Sequence, residues 1–144
     1  MSERSSRVYP EFPLLAVSAA IWSGGSVLLT RRAKKPAKGL WSLPGGLVHV
    51  GETLAEAALR ELDEEAGIAA TLNSVADWVD VITRDEAGAV DRHYVIAMFV
   101  GRWVSGTPRP GDDADAAQWF SPQQFDGIEM TPGTAERILR HKLA

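Results

Sequence analysis

GLVHVGETLAEAALRELDEEAGI, residues 46–68, decides how the rest of this 144-residue chain is read. Thr53 with Glu56 three residues on is a capping-box pattern, and Gly67 is a stop signal, so the spacing predicts a helix over Thr53 to Ala66. At about 100° per residue, Glu61, Glu64 and Glu65 share one arc. Leu54, Ala55, Ala58, Leu59, Leu62 and Ala66 fill the neighbouring arc, which gives an apolar face for a core and a carboxylate edge beside it. Like charges three and four residues apart cost a helix a few tenths of a kcal/mol per pair. A solvated acidic face, offset by Arg60 four residues from both Glu56 and Glu64, would account for such an edge in an arbitrary helix. The residues upstream argue for more. Pro44-Gly45-Gly46, then Gly51-Glu52, let the backbone approach a ligand and turn carbonyls inward. Three carboxylates plus a loop carbonyl form an oxygen-rich set that suits a hard cation, Mg²⁺ above all.

Working outward, Leu14 to Trp22 and Val27 to Leu29 are apolar runs joined by Ser23-Gly24-Gly25-Ser26, a tight hairpin turn. Residues 31 to 39 are basic and turn-rich and read as a loop. Trp41 to Leu43 is a short strand stopped by Pro44-Gly45-Gly46, and Leu47 to Val50 reads as extended again. Leu72 to Thr83 and His93 to Val104 form two long strands joined through Arg84 to Asp91. Ser105 to Asp115 is a second loop, and Gln118 to Phe120 a short strand. Ser121-Pro122 opens a brief helix, and Thr131-Pro132 opens a last one that runs to about Leu143. The expected class is α/β, a mixed sheet sandwiched between helices in three α/β/α layers.

The length fits one domain over residues 1–144, with residues 1–8 expected to be flexible. The absence of cysteine excludes thiolate metal sites and cysteine nucleophiles. The start lacks an apolar signal core, and no stretch approaches the roughly 20 apolar residues of a membrane helix. The expectation is a cytoplasmic protein with no membrane partner. A formal net charge of −4 and a pI near 5.3 argue against nucleic acid as a partner, since a binder through its overall field is usually basic.

Residues 46–68 also resemble the Nudix box, G-x5-E-x7-R-E-U-x-E-E-x-G-U, where U is a bulky aliphatic residue. Gly46, Glu52, Arg60, Glu61, Leu62, Glu64, Glu65, Gly67 and Ile68 occupy its fixed positions without a departure. The flanks Leu28-Leu29-Thr30-Arg31-Arg32, Trp41-Ser42-Leu43-Pro44-Gly45-Gly46 and Trp119-Phe120-Ser121 extend the likeness more loosely over most of the chain. The resemblance implies the Nudix fold and hydrolysis of the diphosphate bond of a nucleoside diphosphate linked to another group. It implies Mg²⁺, with Mn²⁺ as a substitute, held by Glu61, Glu64, Glu65 and the Gly45 carbonyl. Arg60 is expected to hold the glutamates in place. Glu52 either braces the loop-to-helix turn or simply complements the helix dipole. The general base is open between Glu61, Glu64 and an acid of the later loop, which offers Asp112, Asp113 and Asp115. Asp113 lies six residues before Trp119, where some relatives place a metal-binding glutamate; the alternative is a solvated turn.

Arg31 and Arg32 are candidate contacts for substrate phosphates, against a plain solvated charge run. His49, His93 and the five tryptophans have structural readings by default. Arg84 and Arg92 could reach a partner subunit's site, and a homodimer is common in the family. The substrate is an expected small nucleotide. Thr83 stands where long ADP-ribose-hydrolysing relatives carry a proline, the tyrosine of dinucleoside polyphosphate hydrolases is missing, and no coenzyme A signature is found. Gly111-Asp112-Asp113-Ala114 and His93-Tyr94-Val95 resemble short ADP-ribose pyrophosphatase-like chains. The alternative is a mutator-type enzyme that releases pyrophosphate from (deoxy)nucleoside triphosphates. A non-catalytic nucleotide-sensing Nudix domain would usually have lost box glutamates, which are all present here. An RNA 5′-end pyrophosphohydrolase would favour a basic surface, and an isopentenyl diphosphate isomerase relative would want a cysteine.

Overall fold

The structure, a computed structural model, describes residues 6–143. Strand β1 (Leu14–Ser23) turns through Gly24 and Gly25, both with positive φ, into β2 (Ser26–Arg32). Trp22 stands opposite Val27 across this tight hairpin, in the manner of a turn that matches strand twist. Two short strands follow, β3 (Trp41–Ser42) and β4 (Gly45–Leu47). Helix α1 (Leu54–Ala66) leads into β5 (Ala69–Arg84), β6 (Val90–Ser105) and β7 (Ala114–Phe120). A 3-10 helix (Pro122–Gly127) and helix α2 (Thr134–Arg140) complete the described chain.

Among the described residues seven strands make one mixed sheet with the path β3-β2-β1-β6-β5. β1 runs parallel to β6 from Leu14 opposite Tyr94 to Trp22 opposite Arg102. The other edge of β1 is shared. Its end pairs with β2, while Ala16, Val17 and Ser18 pair antiparallel with Leu47, Gly46 and Gly45 of β4. β7 pairs with β2 beyond that.

Period-two alternation builds a core on each face. Val17, Ala19, Ile21, Leu28, Ala97 and Phe99 pack against Ala57, Ala58, Leu62 and Ala66 of α1. Ala20, Trp22, Val27, Leu29, Met98 and Val100 pack on the opposite face against Trp41, Phe120, Phe125 and Ile138 of α2. Helices on both faces of a mixed sheet are the expected three layers.

Several boundaries differ from the sequence reading. The extended stretch lies at Gly45–Leu47 rather than Leu47 to Val50. A Cβ on Gly45 would collide with the Val17 carbonyl oxygen, so the glycine admits this strand to the edge of β1 instead of stopping it. The last helix starts only at Thr134, because residues 131–133 form a turn with Gly133 at φ 75°. β2 runs on to Arg32 because β7 pairs it that far, past a bulge between Arg31 and Arg32. The flexible start expected over residues 1–8 falls largely outside the described residues. Tyr9 is tied to the β5–β6 hairpin, its N–H donating to the Asp91 carbonyl (2.8 Å) and its hydroxyl to Asp85 Oδ2 (2.6 Å). Among the described residues no helix is long and apolar enough to cross a membrane.

Candidate active site on helix α1

Helix α1 starts and stops as its sequence requires. Thr53 Oγ1 accepts from the Glu56 N–H (3.1 Å), and Glu56 Oε1 accepts from the Thr53 N–H (2.9 Å). Such a cap stabilises a helix by about 1 kcal/mol. Gly67 ends α1 in the left-handed region at φ 69°.

The rotation of the helix differs from the simple two-arc reading. Ala57, Ala58, Glu61, Leu62 and Ala66 are buried, while Ala55 and Leu59 are exposed. The buried arc is centred nearer Glu61 and Glu65 than apolarity alone suggests. Glu61 is only 9% exposed and lies against β4. A Cβ on Gly46 would meet Glu61 Oε1 at 2.5 Å, so the missing side chain of Gly46 is the space that the Glu61 carboxylate fills. Glu64, by contrast, has a side chain 54% exposed.

Arg60 organises the cluster. Its Nε donates to Glu52 Oε2 (2.7 Å) and its Nη2 to Glu52 Oε1 (3.0 Å) and to the Leu47 carbonyl (2.9 Å). Its Nη1 donates to Glu61 Oε1 (2.7 Å) and Glu64 Oε2 (3.1 Å). The planar guanidinium thus grips Glu52 with two parallel bonds, a geometry an ammonium cannot reproduce. Glu52 also accepts from the His49 N–H (2.8 Å), so it braces the turn from β4 into α1.

The charges of the site are set by these contacts. The Arg60 guanidinium and the His49 amide pull the Glu52 pKa from 4.5 down to about 2. Arg60 itself is held above the usual arginine range, first by its bond to Glu52. Burial pushes Glu61 up, against the lowering effect of Arg60. Burial also raises Glu65, with Asp113, Glu61, Asp112 and Glu64 adding repulsion. The folded pKa of Glu52 lies below its ordinary value. Its stabilising contribution is therefore complete above about pH 4.5 and fades as pH falls through about 2. Thermal melts of wild type and Glu52→Gln should differ at pH 6 and converge as pH falls across that window. A difference that stays constant would refute the assignment.

The carbonyl of Gly45 also belongs to this edge. The Ala19 N–H donates to the Pro44 carbonyl and the Val48 N–H to the Leu15 carbonyl, which fixes the alternation of the β1–β4 ladder. Gly45, opposite Ser18, then falls at a position whose N–H and C=O point away from β1. Leu47, two residues on, turns its carbonyl the same way, and that carbonyl meets Arg60. Gly45 O and the Arg60–Glu61 cluster therefore share one side of β4.

These groups fit a hard divalent cation. Glu61 is buried with one guanidinium partner, Glu65 is partly buried among other acids, Glu64 is exposed beside them, and a carbonyl opens on the same edge. Among the described residues, however, no three acidic or histidine side chains converge closely on one point. Arg60 Nη1 sits between Glu61 and Glu64 and draws both toward itself.

Of the other candidates, Asp113 lies near the glutamates and Arg31 lies apart from them. Asp113 pairs with Lys34 (2.9 Å), both about two-thirds exposed, and faces Glu65 across the loop after β6. Arg31 alternates onto the α2 face of the sheet, where it lies 5.5 Å from the centre of the Trp41 ring and pairs with Asp115 (2.6 Å). Glu61 and Glu65 stand with the opposite, α1 face. Arg32 donates to the Pro36 carbonyl (2.8 Å). The structure thus does not bring Arg31 together with the glutamates. Sequence reasoning found the loop after β6 but missed that it covers the end of α1, where the Arg109 and Gly111 N–H groups bond to Ala66 and Glu65 carbonyls. No local signal marks it, since the partners lie more than forty residues apart.

Comparison with known proteins bears on this geometry. The NUDIX domain family profile matches residues 13–141. An ADP-ribose pyrophosphatase of Methanocaldococcus jannaschii is 35% identical over 108 residues, which is 75% of this chain and 62% of that protein. The chain thus spans less than two thirds of that relative's length. A Mycobacterium tuberculosis protein, named only provisionally as an 8-oxo-dGTP diphosphatase, is 31% identical over 122 residues, 82% of this chain and 80% of that one. The crystal structure of a MutT NUDIX hydrolase from Burkholderia pseudomallei superposes with a TM-score of 0.71 at 31% identity, covering 92% of this chain and 100% of that one.

Proposed function

This chain belongs to the NUDIX domain family, and on that footing we propose that it hydrolyses the diphosphate bond of a nucleoside diphosphate joined to a second group, of the ADP-ribose or nucleotide-sugar type. The observation that carries this reading is the edge of α1, where Arg60 gathers Glu52, Glu61 and Glu64 against the glycine strand β4. The named activity of the M. jannaschii relative supports the substrate class.

In this reading Mg²⁺, or Mn²⁺ in its place, is held by Glu61, Glu64, Glu65 and the Gly45 carbonyl. When bound, the ion neutralises phosphate oxygens and lowers the pKa of water. The chain's own residues do the rest. Glu61, buried against Gly46 and fixed by Arg60, is the rigid member of the set. Arg60 is the positioning residue, its remaining bonds anchored on Glu52 and Leu47. Glu64, exposed and held by a single longer bond at 3.1 Å, is the group placed to accept a proton from the attacking water. Asp113, held by Lys34, is the alternative base on the facing loop. Of the two candidate phosphate contacts, Arg31 stands on the far face of the sheet from Glu61 and Glu65, and Arg32 beside it follows the bulge of β2.

The M. tuberculosis relative favours a second reading, in which a (deoxy)nucleoside triphosphate is cut with release of pyrophosphate. A hydrolysis panel with Mg²⁺ over ADP-ribose, nucleotide sugars, dinucleoside polyphosphates and (d)NTPs separates the two. AMP with ribose 5-phosphate selects the first, and a nucleoside monophosphate with pyrophosphate selects the second. Binding without turnover on every substrate would leave a sensing domain.

A further inference from the structure

The loop over residues 106–113 is built onto the last turn of α1 by backbone contacts. Arg109 N–H donates to the Ala66 carbonyl (2.9 Å), and Gly111 N–H donates to the Glu65 carbonyl (3.0 Å). These are carbonyls that a helix end otherwise leaves unpaired, and α1 has no basic residue in its last turn. Gly111 marks the closest approach. A Cβ there would lie 2.9 Å from Glu65 Cα and closer still to the Glu64 carbonyl oxygen. Both are backbone atoms that cannot swing aside. Gly111 is not among the glycines with positive φ, so it is required for space and not for backbone freedom. The loop is fixed beyond it as well, because the Asp113 carbonyl accepts from the Ala33 N–H (3.0 Å).

We propose that Gly111 is a positioning residue for Glu64 and Glu65, setting where the last turn of α1 stands relative to β4. The inference rests on the metal-dependent reading above. A methyl group at residue 111 has no void to enter, so its displacement passes to the helix turn. Metal ligands tolerate only a few tenths of an ångström. Gly106 supplies the contrast. It also packs closely, with a Cβ position 2.5 Å from the Gly67 carbonyl oxygen, and its φ of 95° adds backbone strain to any substitution, but it lies beyond the glutamates.

The test measures Mn²⁺ affinity by calorimetry or electron paramagnetic resonance, alongside thermal melts, for wild type, Gly111→Ala and Gly106→Ala. Gly111→Ala should weaken Mn²⁺ binding by about tenfold or more. Gly106→Ala should lower the melting temperature while leaving the Kd within about twofold. Wild-type affinity in Gly111→Ala, or equal loss in Gly106→Ala, overturns the assignment. A second measurement needs no variant. Saturating Mg²⁺ should slow amide exchange at Arg109 and Gly111 and leave Gly88, in the distant hairpin, unchanged. Unaltered exchange at Gly111 overturns it too. A wild-type protein that binds no Mn²⁺ would remove the metal-dependent reading itself, an outcome distinct from normal binding in both wild type and Gly111→Ala.

Discussion

Replacing Glu64 by Gln should lower kcat by at least about 100-fold while the protein stays folded. The size follows from removing an essential charged group at the reacting centre, where such losses run to about 100-fold or more. The fold should persist because the Glu64 side chain is 54% exposed and contributes one hydrogen bond to Arg60. An exposed ion pair of this kind is worth about 1 kcal/mol or less. Glutamine keeps the shape and an acceptor oxygen, and loses only the charge and the ability to take a proton. Steady-state kinetics on the substrate selected by the panel, with a circular-dichroism melt beside them, separate the two effects. Turnover near that of wild type would remove Glu64 from the catalytic assignment.

Arg60→Ala should be the more damaging change to the protein as a whole. It removes all five hydrogen bonds that join Glu52, Glu61, Glu64 and the Leu47 carbonyl. The cost is concentrated at Glu61, a carboxylate 9% exposed and already raised by burial. Stranding a buried charge costs about 3–5 kcal/mol. For a chain of this length, 1 kcal/mol corresponds to a shift of roughly 2–4 °C. A melting temperature lower by about 6 °C or more is therefore expected near neutral pH. The loss should shrink at low pH, where Glu61 protonates and no longer needs a cation. Arg60→Lys should recover only part of the loss, since one ammonium cannot reach Glu52, Glu61 and the Leu47 carbonyl together. A melt unchanged from wild type in Arg60→Ala would show that the glutamates do not depend on it.

The helix, its two caps and both hairpins were legible because each is decided by residues close in sequence. Thr53 with Glu56, Gly67, and Gly24-Gly25 carry their own geometry. What depended on a distant partner was not legible. Glycines at residues 45 and 46 read as a stop, yet they form a strand because β1 accepts them at close range. Leu59 reads as core and is 42% exposed, while Ala57 is fully buried, since the docking of α1 on the sheet and the demand of Glu61 set the rotation. Arg31 and Arg32 read as candidate phosphate contacts, but the face each takes is not legible locally; the alternation of β2 turns Arg31 to the side opposite Glu61 and Glu65. The candidate glutamates and the arginine that gathers two of them were readable as a set, but its bonds to Glu52 and the Leu47 carbonyl, and the docking of the later loop behind Glu65, were visible only in three dimensions.

The parallel seam between β1 and β6 governs the order in which the protein can assemble. Its paired residues lie about eighty positions apart, from Leu14 opposite Tyr94 onward. The two hairpins and α1 can form from nearby residues, whereas the middle of the sheet must wait for a long closure with a large entropic cost. Among the described residues β4 has no strand partner except β1, so Gly45 and Gly46 take their places against β1. A cut anywhere between β1 and β6 therefore threatens the centre of the sheet and not merely one flank.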